Sequence, residues 1–141
     1  MTVPSSEFRV PNEAAAGVER FQDLVAWQKA RTLVARVYRL TRGELGKDFG
    51  LSSQMQRAAV SVMSNIAEGF ERRRPTEFHQ YLTVAKASCA ELQSLLYVCS
   101  DVGYFSETER DELLDQAAEV SRIVAGLRAY VAGERTNRSF R

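Results

Sequence analysis

The chain of 141 residues is poor in the residue types that carry most catalytic and metal chemistry. It contains one histidine, His79, and no second ligand stands at metal-binding spacing from it, which excludes an ordinary zinc site. The paired Glu-x-x-His motifs of di-iron helical bundles are absent. Neither a P-loop nor a G-x-G-x-x-G stretch occurs, so the machinery of nucleotide hydrolysis is missing. We therefore expect no metal, no cofactor and no enzymatic activity.

Long apolar runs and a large net charge are also missing. No segment approaches the ~18 apolar residues that span a bilayer, and the amino terminus lacks the apolar stretch of a signal peptide. This absence predicts a cytoplasmic protein that does not enter membranes. The 19 basic and 18 acidic residues give a net charge of +1, so any electrostatic surface must be local.

Cysteine is scarce as well, since the chain has only Cys89 and Cys99. On one helix these residues would lie about 15 Å apart along the axis, too far for a disulfide bond. We expect both to be buried thiols.

Apolar residues do recur at helical spacing along most of the chain, without the alternation of a strand. The connections between the apolar segments are short, which favours antiparallel neighbours. The sequence therefore predicts an all-α fold, an antiparallel up-down-up-down four-helix bundle. We divide the chain into a flexible N-terminal leader (1–20), the bundle (21–132) and a flexible C-terminal tail (133–141).

Capping residues predict where each helix begins and ends. The first three helices would run from Asp23 to Arg42, from about Gly50 to Gly69, and from Thr76 to Gly103. The fourth would begin at a capping box formed by Ser106 and Glu109.

The third helix carries the most regular apolar pattern. Its heptad seam comprises Phe78, Leu82, Ala85, Cys89, Leu92, Leu96 and Cys99. A second apolar flank comprises Tyr81, Val84, Leu95, Val98 and Val102. A helix that buries two flanks needs more than one neighbour, so this pattern favours a homo-oligomer, unless both flanks are buried inside one bundle.

The second helix has an unusual polar stripe, with short hydrogen-bonding groups where a solvated helix face usually carries long charged side chains. We assign four of its residues to a structural hydrogen-bond network at a helix or subunit contact: Arg57, Ser61, Asn65 and Glu68.

Positive charge is concentrated on the first helix and on the turn after the second. Five basic residues and no acidic residue between Leu24 and Arg42 give a local charge of +5. Clustered arginines suit contact with a phosphate backbone, because their planar donors can grip phosphate oxygens in pairs. The candidate nucleic-acid-binding residues are Lys29, Arg36, Arg39, Arg72 and Arg73. The alternative is that the basic face pairs with the acidic start of the fourth helix, where six acidic residues and one basic residue give −5.

Several motifs resemble a known family. They are Phe21-Gln22-Asp23-Leu24, Trp27-Gln28-Lys29-Ala30, the segment from Gln54 to Ser61, Ser64-Asn65-Ile66-Ala67-Glu68-Gly69, and Ala90-Glu91-Leu92. Over roughly residues 21 to 131 the chain is similar to the four-helix bundle family first met as proteins encoded by intervening sequences in 23S ribosomal RNA genes. The resemblance implies a bacterial cytoplasmic bundle that assembles into a ring-like homopentamer without established enzymatic activity. A related branch resembles the accessory protein of diversity-generating retroelements, which binds nucleic acid and a reverse transcriptase.

Two functions follow as expectations. The first is a non-enzymatic oligomer that binds RNA or DNA without sequence preference, because repetition in a ring would multiply weak phosphate contacts. The second is a protein-interaction scaffold with no nucleic-acid role, whose charged faces meet a protein partner or each other.

Overall fold

The computed structural model describes the backbone of residues 17–139 and the side chains of residues 17–134. Four long helices dominate this part of the chain: α1 (Val25–Leu40), α2 (Phe49–Glu71), α3 (Pro75–Asp101) and α4 (Glu107–Ser139). A 3-10 turn, Phe21–Asp23, precedes α1, and a short helix, Glu44–Lys47, separates α1 from α2. Residues 17–139 contain no strand, so the all-helical fold class is confirmed. Most of the predicted leader lies outside the described residues.

One of the predicted helix starts is confirmed in its chemistry. Ser106 and Glu109 form the capping box, since the Glu109 amide donates to the Ser106 hydroxyl at 3.1 Å and the Ser106 amide donates to the Glu109 carboxylate at 3.0 Å. The start of α2 lies slightly earlier than expected. Asp48 is its N-cap, and its carboxylate accepts a hydrogen bond from the Leu51 amide at 3.2 Å.

The predicted caps of α1 and α3 are wrong. Asp23 lies in the 3-10 turn, and the residue before α1 is Leu24, which is 1% exposed and packs into the core. Burial of Leu24 outweighs a side-chain cap at this position. Helix α3 begins at Pro75, after Arg74 and before Thr76, because the fixed φ angle of proline suits the first helical position.

The helix ends differ from the expectations in two places. Gly103 follows α3 with a φ of 89°, and the Tyr104 amide donates to the Cys99 carbonyl at 2.9 Å, so the glycine ends this helix as expected. Gly69, in contrast, lies inside α2, which continues to Glu71. Helix α4 continues to Ser139, past the predicted boundary at 132.

The core lies between the four long helices. Helices α1 and α3 each pack against α2 and α4, and α1 lies diagonally across from α3. Every residue of the predicted heptad seam of α3 is buried, and so are Met55, Val62 and Ile66 of α2. On the second flank of α3, however, Val84, Val98 and Val102 are exposed.

Helices α2 and α3 approach closely near the α2 carboxyl end. Gly69 is buried there, and a Cβ atom at this position would lie 2.5 Å from the Tyr81 Cβ. The rings of Phe70 and Phe78 make an edge-to-face contact beside it, with centroids 5.8 Å apart. This crossing fixes the position of the basic turn that follows α2.

Candidate functional site

The basic face of α1 is partly paired with α4. The Lys29 ammonium lies 3.5 Å from the Glu119 carboxylate. Arg36 lies 3.8 Å from the Glu112 carboxylate, and it donates a hydrogen bond to the Gln116 side-chain oxygen at 3.3 Å. The positive charge of these two residues is thus offset by the acidic first half of α4, as the pairing alternative expected.

Arg39 has a different environment. Its side chain is exposed near the end of α1, and it has no ion pair or side-chain hydrogen bond within residues 17–134. The guanidinium of Arg31, two turns earlier, lies over the Trp27 ring at 5.5 Å. The outward face of α1 therefore keeps positive charge that α4 does not offset.

The turn between α2 and α3 holds Arg72 in several contacts. Its guanidinium donates a hydrogen bond to the Tyr81 hydroxyl at 2.9 Å and lies 3.7 Å from the Glu77 carboxylate. The hydrogen bond to Tyr81, followed by the charges of Tyr81 and Glu77, raises the pKa of Arg72 above its ordinary value. Arg74 lies 3.6 Å from the same Glu77 carboxylate.

Arg73 has left-handed backbone geometry, with a φ of 58°, at a position where glycine is usual. Its guanidinium donates a hydrogen bond to the Glu19 carbonyl at 2.7 Å and lies over the Phe70 ring at 4.5 Å. It also lies 3.6 Å from the Glu71 carboxylate. Arg73 thus ties the segment before α1 to the end of α2.

The five candidate cations do not form one cluster. Arg72 and Arg73 lie at the end of the molecule where α1 begins, because Phe21 and Arg72 line one groove and Glu19 contacts Arg73. Arg39 lies near the opposite end of α1, roughly 20 Å away along the helix axis. Lys29 and Arg36 lie between these two ends along α1, so the candidate nucleic-acid residues are spread over the length of this helix and the turn after α2.

The polar stripe of α2 is divided between half-buried and exposed positions. The hydroxyl groups of Ser61 and Ser88 lie 2.7 Å apart and join α2 to α3. The side-chain amide of Asn65 donates to the Ser61 backbone carbonyl at 2.8 Å and to the Ser61 hydroxyl at 3.0 Å. Arg57 and Glu68 are exposed and lie outside this network. The predicted network named residues of α2 only, and Ser88 is its partner on α3.

An exposed apolar surface lies on the outward face of α3. Four of its large side chains are between 41% and 59% exposed: Val84, Tyr97, Val98 and Val102. The sequence pattern identified the three valines as a second flank but missed Tyr97, which lies outside the heptad seam. It also missed Phe49, which is 81% exposed at the start of α2, because a lone aromatic residue at a helix start gives no periodic signal.

The described residues contain no group of three or more metal-ligating side chains. Burial raises the pKa of the Cys89 thiol to about 11 and that of the Cys99 thiol to about 11, so both favour the unreactive thiol form. No helix in the described part is long and apolar enough to span a membrane.

Comparisons with known proteins place this helical protein in a family. A family model described as 23S rRNA-intervening sequence protein matches residues 22–126. The chain belongs to this family, as the sequence motifs indicated. The relation to the accessory protein of diversity-generating retroelements stays a prediction.

A solved structure has the same fold. It is a protein of unknown function from the S23 ribosomal protein family of Bacteroides thetaiotaomicron, with a TM-score of 0.67 and 15% sequence identity. The match covers 90% of this chain and 98% of that chain. At this identity the likeness concerns the fold alone. A comparison with curated proteins gives no match.

Proposed function

We propose that this protein is a non-catalytic helical scaffold that associates with copies of itself. Its fold is an antiparallel up-down-up-down four-helix bundle. Contacts between distant residues support this arrangement, since the start of α2 meets the end of α3 through Met55 and Cys99, whereas the end of α2 meets the start of α3 through Phe70 and Phe78.

The observation that carries the proposal is the exposed apolar surface of α3. Tyr97, Val98 and Val102 form an exposed apolar cluster at the end of α3, whereas Val84 lies about 21 Å before Val98 along the helix axis, with Glu91 and Ser94 between them. A cluster of exposed apolar residues marks an interaction site in many proteins, whereas scattered apolar residues do not. A second copy of the chain is a suitable partner because most soluble oligomers are homo-oligomers. We propose a closed ring, with five copies as the stoichiometry that the family resemblance implies.

Light scattering coupled to gel filtration tests this proposal. The wild-type protein should have a mass several times the 15.8 kDa of one chain, and five times that mass for the pentamer. Val98→Lys should reduce the mass toward that of one chain, because the interface would bury a charge in place of an apolar side chain. Ala129→Lys is the matched control, since it adds the same charge at an exposed position of α4. A monomeric wild-type protein at micromolar concentration would refute self-association.

Nucleic-acid binding through Lys29, Arg36, Arg39, Arg72 and Arg73 is the second candidate function. Arg39 favours it, because this exposed cation has no acidic partner within the described side chains. The other four have exposed or half-exposed ion pairs at 3.5–3.8 Å, each of which contributes only about 0–1 kcal/mol. Phosphate groups could therefore compete for these cations.

A salt-titrated binding assay with single-stranded and duplex RNA and DNA tests this second function. Affinity should fall steeply as salt rises and show little sequence preference. Changing the five residues to alanine should abolish binding. A control variant loses the same number of charges at Lys47, Arg57, Lys86, Arg122 and Arg128. Equal loss of binding in both variants would show that only net charge matters, and absence of wild-type binding at about 50 mM salt would exclude the function.

A further inference from the structure

The outward face of α1 carries a basic stripe with an apolar centre. Arg31, Ala35 and Tyr38 are spaced by four and three residues along α1, Arg42 lies two residues past the end of the helix, and all four are exposed. Tyr38, the large apolar side chain of this surface, is 44% exposed. With Arg39 beside them, these residues form a surface that we name the α1 stripe.

The exposed charges that α3 itself carries on its outward face are acidic. Between Thr83 and Val102 they are Glu91 and Asp101, and Lys86 is half-buried at the edge of this face. Two cations of α4 also reach this face: the Arg110 guanidinium lies over the Tyr97 ring at 5.2 Å and is paired with Asp111, and Arg128 donates a hydrogen bond to the Thr83 hydroxyl at 3.4 Å. The remaining exposed positions of this segment are small, polar or apolar: Thr83, Val84, Ala87, Ala90, Ser94, Tyr97, Val98 and Val102. We name this surface the α3 face.

The two surfaces cannot meet within one chain. Helices α1 and α3 lie diagonally across the structure, each packed against α2 and α4, so their outward faces point away from each other. A contact between the α1 stripe and the α3 face must therefore join two copies, and each copy would use a different surface toward each neighbour. Such a contact is heterologous, and it closes into a ring when the rotation between copies allows.

We infer that the α3 face of one copy packs against the α1 stripe of the next copy. The inference rests on the proposed self-association and names the two surfaces that carry it. Tyr38 and Ala35 supply apolar area opposite the valines of α3. Arg31, Arg39 and Arg42 supply positive charge opposite Glu91 and Asp101. A contact of α3 with α3 would instead place like charges of Glu91 and Asp101 on both sides, which disfavours it.

Two variants that each disable one surface test the inference. Tyr38→Asp disables the α1 stripe, and Val98→Lys disables the α3 face by placing a positive charge opposite the arginines of the stripe. Both side chains are exposed, so each variant should keep the helical circular dichroism and thermal unfolding of the wild type. By light scattering, each variant alone should have the mass of one chain, 15.8 kDa.

Mixing the two variants in equal amounts should give particles of at least twice the mass of one chain. The Tyr38→Asp copy still has its α3 face, and the Val98→Lys copy still has its α1 stripe, so one heterologous contact can form between them. Ala129→Asp and Ala129→Lys, each in place of the variant with the same added charge, are the controls.

Different results would refute self-association and the contact between the α1 stripe and the α3 face. A monomeric wild type refutes self-association itself. If the wild type assembles and Tyr38→Asp assembles equally well, α1 is not the partner of α3, and self-association stands. Absence of any assembly after mixing, with each variant monomeric alone, also overturns the heterologous contact. A Tyr38→Asp variant that loses its helical signal is replaced by Ala35→Glu, for which the same outcomes apply.

Discussion

Gly69→Ala should destabilise the protein, although alanine is the better helix former. Gly69 lies inside α2, where exchange of glycine for alanine normally stabilises a helix by about 0.5–1 kcal/mol. The added Cβ would lie 2.5 Å from the Tyr81 Cβ and 3.0 Å from a ring carbon of Phe78. Because a Cβ atom cannot rotate away from its own backbone, α2 and α3 must separate to admit the methyl group. Overpacking of this kind typically costs about 1–3 kcal/mol.

Gly126→Ala is the matched control for this prediction. Gly126 lies inside α4 and is exposed, and a Cβ atom there would meet nothing within 4 Å. Gly126→Ala should gain only the stabilisation that comes from the higher helix propensity of alanine. The two variants should therefore differ by roughly 1–3 kcal/mol in the free energy of unfolding. Urea denaturation followed by circular dichroism measures both. A Gly69→Ala protein as stable as the Gly126→Ala protein would show that the helices separate without cost and would refute the packing argument.

Three further predictions concern the interior and the loops. Ser88→Ala should cost about 1 kcal/mol in urea denaturation, because the Ser61 hydroxyl loses its partner across α2 and α3, and an unchanged midpoint would contradict this. Tyr104→Phe removes the hydrogen bond to Asp48 that raises the pKa of Tyr104 above 10.0, so the stability advantage of the wild type should be complete below pH 10 and decline as pH rises through the higher folded-state pKa. A wild-type advantage that persists unchanged at pH 12 would contradict it. Cys89 and Cys99 should react with a thiol reagent at pH 8 far more slowly in the folded protein than in denaturant, and equal rates would show that the core opens readily.

The sequence predicted the inward faces of the helices well because periodicity reports burial directly. The seven residues of the heptad seam of α3 are all buried. The incorrect caps of α1 and α3 have two different causes. Leu24 and Pro75 fix the starts of α1 and α3 through burial and through backbone geometry, whereas cap prediction weighs only side-chain hydrogen bonds.

Gly69 shows a second limit of local sequence patterns. A glycine near the end of an apolar run resembles a helix C-cap, and the sequence offers no sign that Tyr81 lies against it. In the turn after α2 the residue with the left-handed conformation is Arg73, where a glycine is usual, and its side chain contacts Glu19 and Phe70. Only the arrangement of neighbouring elements shows that Gly69 serves helix packing and that Arg73 follows the helix end.

The sequence identified the polar residues of α2 but did not predict which of them would form hydrogen bonds together. Ser61 and Asn65 join a network with Ser88, while Arg57 and Glu68 on the same helix do not. A helical wheel gives the angle of a side chain around the axis. It does not give the distance to the next helix, and that distance decides which polar groups become partners.

Three partners can pair with the positive charge of α1: the α4 carboxylates, the next copy of the chain, and nucleic acid. Some of these contacts exclude one another. The α4 carboxylates engage Lys29 and Arg36 through weak exposed pairs that leave Arg39 free of them. If the α1 stripe packs against the next copy, Arg39 is enclosed in that contact, and phosphate binding would fall to Arg72 and Arg73. If nucleic acid instead binds α1, it competes with assembly, and by linkage assembly weakens nucleic-acid binding to the same degree. Adding nucleic acid would then lower the mass of the assembled protein, whereas binding confined to the turn after α2 would leave the assembly intact.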